Sequence, residues 1–454
     1  MNFYDEIIKR KDELISDTQA LLRIPSVLTE YDKNSETPFG EDIHKAFQFM
    51  LELGKKDGFK VKNVDNHAGH LEVGEGEEIL GILCHLDVVP VGSNWDYDPF
   101  GATIDNGRIY ARGALDDKGP TMAAYYAVKL LKELGITFNK RVRIILGLDE
   151  ESGWRCVQRY FESEAMPDLG FAPDANFPLI YGEKGILTTK FYGQVDANGL
   201  YEFHFGERTN VVPDYAEAIV DQSIAEHYES YLTEKNYSGK VELLDDGRAK
   251  LIAYGKSAHA MEPDDGVNAG FVLAEYLGSV LNNDLIQLLN ERMTFDSRAK
   301  KLGIAFNTEE MGDLTVNVGV CEYKDGEFNL LLNFRYPLGF DVEDMDQMMK
   351  QLGKQYGSIN HEVVGNSTPH YVDPNNDWIK VLHHAYIKYT NDTETPLLTI
   401  GGGTYARTLK NGVAFGAMMP GRPDVVHQPN EYIEIDDLLK ATAIYAEAIY
   451  QLTR

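Results

Sequence analysis

Apolar residues recur at helical spacing at the start of the chain, where Ile7, Ile8, Leu14, Ile15, Leu21 and Leu22 predict a single helix over residues 5–23. The next signals are short, unbroken apolar runs of the buried-strand kind, at 79–84 and 142–148. Between them Pro120 opens a helix predicted to reach Leu134, since proline is accommodated in a first turn. Strand, helix and strand in this order predict a sheet with parallel members, whose ligands gather beyond the carboxyl ends of its strands. From about residue 186 the pattern changes to strands at 187–192, 201–205, 250–254, 314–320 and 328–335, interspersed with separate helices. Helical spacing resumes near Trp378, and an amphipathic helix is predicted over 437–452. The fold class expected is α/β: a mixed sheet with flanking helices, built from residues 1–185 and 373–454, interrupted by an inserted α+β domain at 186–372.

A chain of 454 residues is too long for one ordinary core, in keeping with two or three domains. Lys and Arg total 43 against 72 Asp and Glu, a formal charge of −29, and such a surface repels phosphate backbones and anionic lipid headgroups. Neither nucleic acid nor a membrane is expected as a partner. The first residues, Met1-Asn2-Phe3-Tyr4-Asp5-Glu6, lack a basic region followed by an apolar core, and no stretch approaches the about 18 apolar residues of a membrane span. The expectation is a cytoplasmic protein. Cys84, Cys156 and Cys321 form no CxxC pair, which fits a reducing compartment and argues against a disulfide framework or a thiolate metal site.

Candidate chemistry sits at the ends of the first two apolar runs. His85-Leu86-Asp87 follows one, Asp149-Glu150-Glu151 follows the other, and Gly113-Ala114-Leu115-Asp116-Asp117-Lys118-Gly119 lies between them. Hydrolysis assisted by two metals needs neutral imidazoles and carboxylates as ligands, one carboxylate between the cations and one left free as a base. Asp87, two residues beyond His85, projects to the same side of an extended segment, where its carboxylate can accept the second imidazole proton. Glu150 and Glu151 must diverge if one binds metal and the other activates water, which a loop or strand end permits. An acidic pair is ordinarily a solvated surface run; here order and strand-end placement favour function. His67, His70, His383 and His384 lack such a context and are read as non-ligands. Gly401-Gly402-Gly403 is followed by no Walker lysine, and Lys256-Ser257 after Gly255 lacks the earlier glycine of a phosphate loop.

These motifs, in this order, with Ala172-Pro173-Asp174-Ala175 and the late His427, resemble those of the M20 family of dinuclear metallopeptidases along the whole chain. Tyr181-Gly182-Glu183-Lys184-Gly185, Glu207-Arg208-Thr209-Asn210 and Gly401-Gly402-Gly403-Thr404-Tyr405-Ala406-Arg407 are similar to the branch of PepV-type bacterial dipeptidases and carnosinase-like enzymes. The resemblance implies that Asp116 bridges two divalent cations, that His85 and Asp174 complete one and Glu151 and His427 the other, and that Glu150 is the general base, with Asp87 supporting His85. It further implies that His259, in Gly255-Lys256-Ser257-Ala258-His259-Ala260, stabilises the oxyanion. Asn210 is placed near the scissile carbonyl, Arg335 at the substrate carboxylate, and Gly402 and Thr404 among the substrate contacts. Two divalent cations, three carboxylates and a bridging hydroxide sum to neutrality. Nitrogen and oxygen ligands without thiolate suit zinc, and also manganese or cobalt.

By the same resemblance the inserted domain is a lid that closes over the metals, and its length stands in for a partner subunit's lid, so a monomer is expected. The implied activity is that of a metal-dependent dipeptidase hydrolysing short peptides with a free N-terminus through a metal-bridging water. The alternatives are an N-acyl amino-acid deacylase or carboxypeptidase of another M20 type, and a metal-binding protein without catalysis. Glu150 and His259, where decay would begin, are both present.

Overall fold

The predicted first helix is two. In the computed structural model, which describes residues 2–357 and 359–454, helix α1 (Phe3–Ile8) stops and α2 (Lys11–Leu22) restarts after Arg10, whose backbone leaves the helical region at φ −110° and ψ 8°. The break lets the pieces pack on different partners: α1 lies against the last helix, Ile435–Leu452, and α2 against α4 (Lys118–Glu133). A straight helix would satisfy one contact at the expense of the other.

The chain divides into two compact units, one of Met1–Tyr181, Val372–Leu398 and Thr404–Arg454, the other of Gly182–Tyr371 with Thr399–Gly403. In chain order the first contains, after α2, α3 (Glu41–Lys56), β1 (Lys60–Val64), β2 (Ala68–Val73), β3 (Ile79–His85), β4 (Thr103–Asp105), β5 (Arg108–Tyr110), α4, β6 (Arg141–Gly147), α5 (Arg155–Phe161) and β7 (Leu169–Ala172). Its main sheet runs β1-β2-β6-β3-β7 and continues to the strand Gly412–Ala414. β3 is parallel to both β6 and β7, and β7 to Gly412–Ala414, whereas β2 is antiparallel to β6. The sheet is therefore mixed, with a parallel centre. β3 is buried at every position, which is why it reads as an unbroken apolar run rather than an alternating one.

Two helices depart from the amphipathic pattern. α4 is buried from Lys118 to Leu131, and Ile435–Leu452 is buried on nearly every side. Each packs on the other and on further elements, α4 on α2, β3 and β6, and Ile435–Leu452 on α1 and Asp377–Thr390. A helix covered all round needs no polar face.

Gly147, at the end of β6, shows how tightly this centre is filled. A Cβ there would lie 2.0 Å from the Tyr405 hydroxyl, and Tyr405 is fully buried with its hydroxyl 3.2 Å from Cys156 Sγ. Gly147→Ala must displace the ring, and we expect a loss of about 1–3 kcal/mol in folding stability, read from denaturant unfolding.

The second unit is an antiparallel sheet of eight strands among the described residues, in the order Ser238–Leu243, Arg248–Tyr254, Tyr215–Asp221, Leu200–Phe205, Thr315–Lys324, Glu327–Tyr336, Gly185–Gln194 and Asn360–Ser367. Burial alternates along Gly185–Gln194, the period of a strand with one covered face. Leu273, Leu277, Leu285, Leu289, Met345 and Met349, from the helices Ala269–Val280, Asp284–Arg292 and Val342–Gly353, join its core. Its boundaries differ from the expected 186–372. Gly182 and Glu183 pair with Tyr371 and His370, and the segment at 399–403, expected with the first domain, is drawn in by bonds from Lys184 N–H to the Ile400 carbonyl and from Arg335 Nη1 to the Gly401 carbonyl. These pairings are non-local and leave no mark in the local pattern. No helix among the described residues is long and apolar enough to cross a membrane.

Candidate active site

The parallel centre of the first unit delivers three candidate groups. His85 is the last residue of β3, Glu150 and Glu151 lie in the turn after β6, and Asp174 comes two residues after β7. Asp116 stands just before α4, and His427 lies in the loop before Tyr432–Glu434 with its backbone in the left-handed region at φ 61°. Such a conformation is unfavourable for a residue with a side chain and persists where the surroundings over-determine it.

Asp116 stands between the two imidazoles. Its Oδ1 is 3.0 Å from His85 Nε2 and its Oδ2 3.0 Å from His427 Nε2. Asp174 Oδ2 lies 3.5 Å from His85 Nε2, and Glu151 Oε1 3.1 Å from His427 Nε2. Ligands about 2.1 Å from a tetrahedral cation are about 3.4 Å apart, so donor pairs at these spacings fit an ion between them. Donor atoms of His85, Asp116 and Glu151, and of His85, Glu150 and Asp174, form groups within 4.8 Å. His427 falls outside both groups, as His67, His70, His383 and His384 do, but it alone of these five has Nε2 at 3.0 and 3.1 Å from Asp116 and Glu151; His70 is hydrogen-bonded to the Tyr160 hydroxyl at 2.7 Å, and burial pushes it down to about 3.

The electrostatics of this cluster call for positive charge. Burial pushes Glu150 well above the carboxylate range, opposed by His85 and reinforced by Asp174, Glu151 and Asp116. Burial and Asp116 raise Asp174 to about 7, and burial raises Glu151. Asp116 itself, despite burial, is held low by hydrogen bonds from His427 and His85. Those bonds raise the imidazoles in turn: Asp116 and Glu151 lift His427 to about 10, and Asp116 and Asp174 lift His85 well above its usual value against the burial that lowers it. Nitrogen and oxygen donors crowded with acidic groups, buried at His85 and Asp116 and open to solvent at His427, form a set that divalent cations would neutralise.

Asp87 does more than its expected task. The nearest acceptor of His85 Nδ1 is the Asp87 backbone carbonyl at 3.0 Å, with the carboxylate Oδ1 at 3.5 Å. A carbonyl only accepts, so Nδ1 carries a proton, and Nε2, which faces Asp116 Oδ1, is the nitrogen that would offer its lone pair to a bound cation. The Asp87 carboxylate is engaged elsewhere, Oδ1 accepting the Glu150 N–H at 3.1 Å and Oδ2 the Glu151 N–H at 3.0 Å. It therefore fixes the turn in which the adjacent glutamates diverge, Glu151 to His427 and Glu150 toward His85 and Asp174. The turn is tied at its start by Asp149, bidentate with Arg155 at 2.6 Å.

Sequence reasoning passed over other contributors. Asp117 is fully buried, its Oδ2 accepting from His85 N–H and Thr121 Oγ1, each at 3.1 Å; it lies inside a motif whose function was assigned to its neighbour alone. The buried pair of Arg112 and Glu431 had no local signal, and the Tyr405 ring, edge-on to His85 at 6.0 Å, lies in a motif that gave it no role.

The remaining candidates are divided between the units. In the second, Ala260 N–H donates to the Asn210 carbonyl at 2.9 Å, setting Asn210 beside exposed His259. Gly319 allows this, because a Cβ there would meet the Thr209 backbone at 2.6 Å. His259 Nδ1 accepts the Met261 N–H at 3.1 Å, which leaves Nε2 as the proton-bearing nitrogen, and burial, then Arg335, lower its pKa. Arg335 is 4 % exposed, a buried residue rather than a surface one, with Nε donating to Asn333 Oδ1 at 2.9 Å and Nη1 to the Gly401 carbonyl at 3.1 Å. Gly402 belongs to this unit, whereas Thr404, buried and accepting the Ala406 N–H, belongs to the first.

The sequence profile of Peptidase family M20/M25/M40 matches residues 81–451. The chain belongs to that family. Among sequence relatives, this M20 peptidase is 45 % identical to the Bacillus subtilis protein named "Putative dipeptidase YtjP", over all of both chains. It is 44 % identical to a Staphylococcus epidermidis protein of the same description, covering 99 % of this chain and 98 % of that one. Among solved structures the M20 peptidase resembles human carnosine dipeptidase 1, with a TM-score of 0.61 at 14 % identity, covering 99 % of this chain and 98 % of that one. At that identity the likeness is one of fold.

Proposed function

We propose that the protein is a metal-dependent dipeptidase acting on short peptides with a free amino end, with a centre for two divalent cations that zinc suits, as manganese or cobalt also would. The observation that carries this reading is Asp116, whose two carboxylate oxygens each face a different imidazole at 3.0 Å. His85 and Asp174 would hold one ion, Glu151 and His427 the other, and Asp116 both. When bound, the cations supply Lewis acidity that polarises the scissile carbonyl and eases deprotonation of water. Relatives matched over nearly their whole length and named "Putative dipeptidase" support the choice of substrate class.

The chain's own groups then have distinct tasks. Glu150, whose carboxylate takes no hydrogen bond or ion pair among the described residues, accepts the proton of the attacking water and returns it to the leaving amine as the carbon–nitrogen bond breaks. His259 offers Nε2–H to the oxyanion, its other nitrogen being occupied by Met261 N–H. Asn210 serves the same carbonyl, the Arg335 guanidinium takes the substrate carboxylate, and Gly402 and Thr404 contact the peptide. The functional unit we propose is a cytoplasmic monomer, and sedimentation showing an obligate dimer would overturn that.

Loss of the His259 imidazole in His259→Ala should lower kcat by about 10²–10³-fold with metal content unchanged; wild-type kcat in this variant would remove His259 from the reaction. The substrate class is tested by a panel of dipeptides, tripeptides and N-acetylated amino acids on stripped protein restored with zinc, manganese or cobalt. Strong dipeptide cleavage with little on the acetylated compounds is expected; the reverse preference would refute the reading.

A further inference from the structure

The segments that carry Asp116 and His427 are tied to one buried ion pair. Arg112 is 1 % exposed and Glu431 0 %, and Nη1 of the first lies 2.7 Å from Oε2 of the second. The other oxygen of Glu431 accepts the N–H groups of Leu115 at 2.9 Å and of Asp116 at 3.2 Å. The guanidinium reaches the opposite way, donating to the carbonyls of Gln428 at 3.3 Å and His427 at 3.4 Å, and to those of Pro90 and Val91 at 3.5 and 3.4 Å. One pair thus grips the backbone of the central carboxylate and the backbone of the late histidine together.

The other half of the site has separate supports. His85 sits on a fully buried strand, with its N–H on Asp117 and its Nδ1 on the Asp87 carbonyl. Asp174 is followed by Ala175–Asn176, which pairs with Ala417–Met418. Glu151 is anchored through Asp87, but its partner His427 lies in a loop outside any strand or helix.

We propose that Arg112 and Glu431 are positioning residues for one of the two cation positions, that of His427, Glu151 and Asp116 Oδ2, and that they set its affinity relative to the position at His85 and Asp174. This rests on the two-cation reading above. A planar fork can hold a carboxylate and several carbonyls in one fixed geometry, which a lysine ammonium does not reproduce. Small displacements of His427 relative to Asp116 fall on the cation they share, while His85 keeps its strand-borne geometry.

The test is a titration of chelator-stripped protein with zinc alone, read as ions bound and their separate affinities. Wild type should bind two. In Glu431→Gln one ion should bind within about threefold of wild type and the other about 10- to 100-fold more weakly, the range for loss of an outer-shell partner of a metal ligand. Glu72→Gln is the control for stability alone: it breaks a different buried pair, Arg143–Glu72 at 2.7 Å between β6 and β2, and should lower Tm while leaving both affinities in place. Two ions bound by Glu431→Gln as by wild type, or both weakened alike, would overturn the proposal. Should Glu431→Gln not fold, Arg112→Lys decides by the same criteria, since it keeps the buried charge and loses the fork. A wild type that binds fewer than two ions would sink the two-cation reading itself, and this inference with it.

Discussion

Glu150→Ala should bind both cations and turn over dipeptides about 10²–10⁴-fold more slowly than the wild type, the range for loss of a positioned general base. Structure supplies the reason the two effects separate. The turn holding Glu150 is fixed through its backbone, by Asp87 on the Glu150 and Glu151 N–H groups and by Asp149 with Arg155, so truncating the side chain leaves Glu151 in place. The Glu150 carboxylate lies within ligand reach of His85 and Asp174, and the same variant asks whether it binds metal. Metal content by plasma mass spectrometry and kcat on one preparation are the measurements. A variant that loses one ion would make Glu150 a ligand; one that keeps substantial activity would remove it as base.

Asp116→Asn should have the larger effect on the cluster itself. The substitution preserves shape, and the Asp116 backbone N–H still donates to the Glu431 carboxylate, so folding should survive. It removes the one charge that faces both imidazoles at 3.0 Å. Both ions should weaken together, by more than the about 10- to 100-fold typical of an outer-shell change, and activity should fall to background. His85→Ala, in contrast, should empty chiefly the position shared with Asp174. If Asp116→Asn kept two ions at wild-type affinity, Asp116 would not be the shared ligand.

Much of this was legible because the parallel centre writes itself into the sequence. β3 and β6 read as continuous apolar runs since both faces of each are covered, and His85 and the Glu150–Glu151 pair stand at the ends of these runs. β7 and Gly412–Ala414 are only four and three residues long, too short for periodicity to register. The break at Arg10 went unseen because both helical pieces bear apolar residues at helical spacing; what separates them is that their partners, Ile435–Leu452 and α4, lie far along the chain. Asp87 was read as an imidazole acceptor from its spacing to His85 alone. Its stronger engagement, with the N–H groups of Glu150 and Glu151, depends on β3 and β6 being neighbours in the sheet. Arg112 and Glu431, 319 positions apart, make the same point: a charge pair closed by the fold leaves no pattern on either side of it.

The central claim is that two cations sit on opposite sides of one carboxylate. Crystals of zinc-restored protein, measured at the zinc absorption edge, test it directly through anomalous scattering. Two peaks are expected, one beside His85, Asp174 and Asp116 Oδ1, the other beside Glu151, His427 and Asp116 Oδ2. A single peak, or none touching Asp116, would contradict the account.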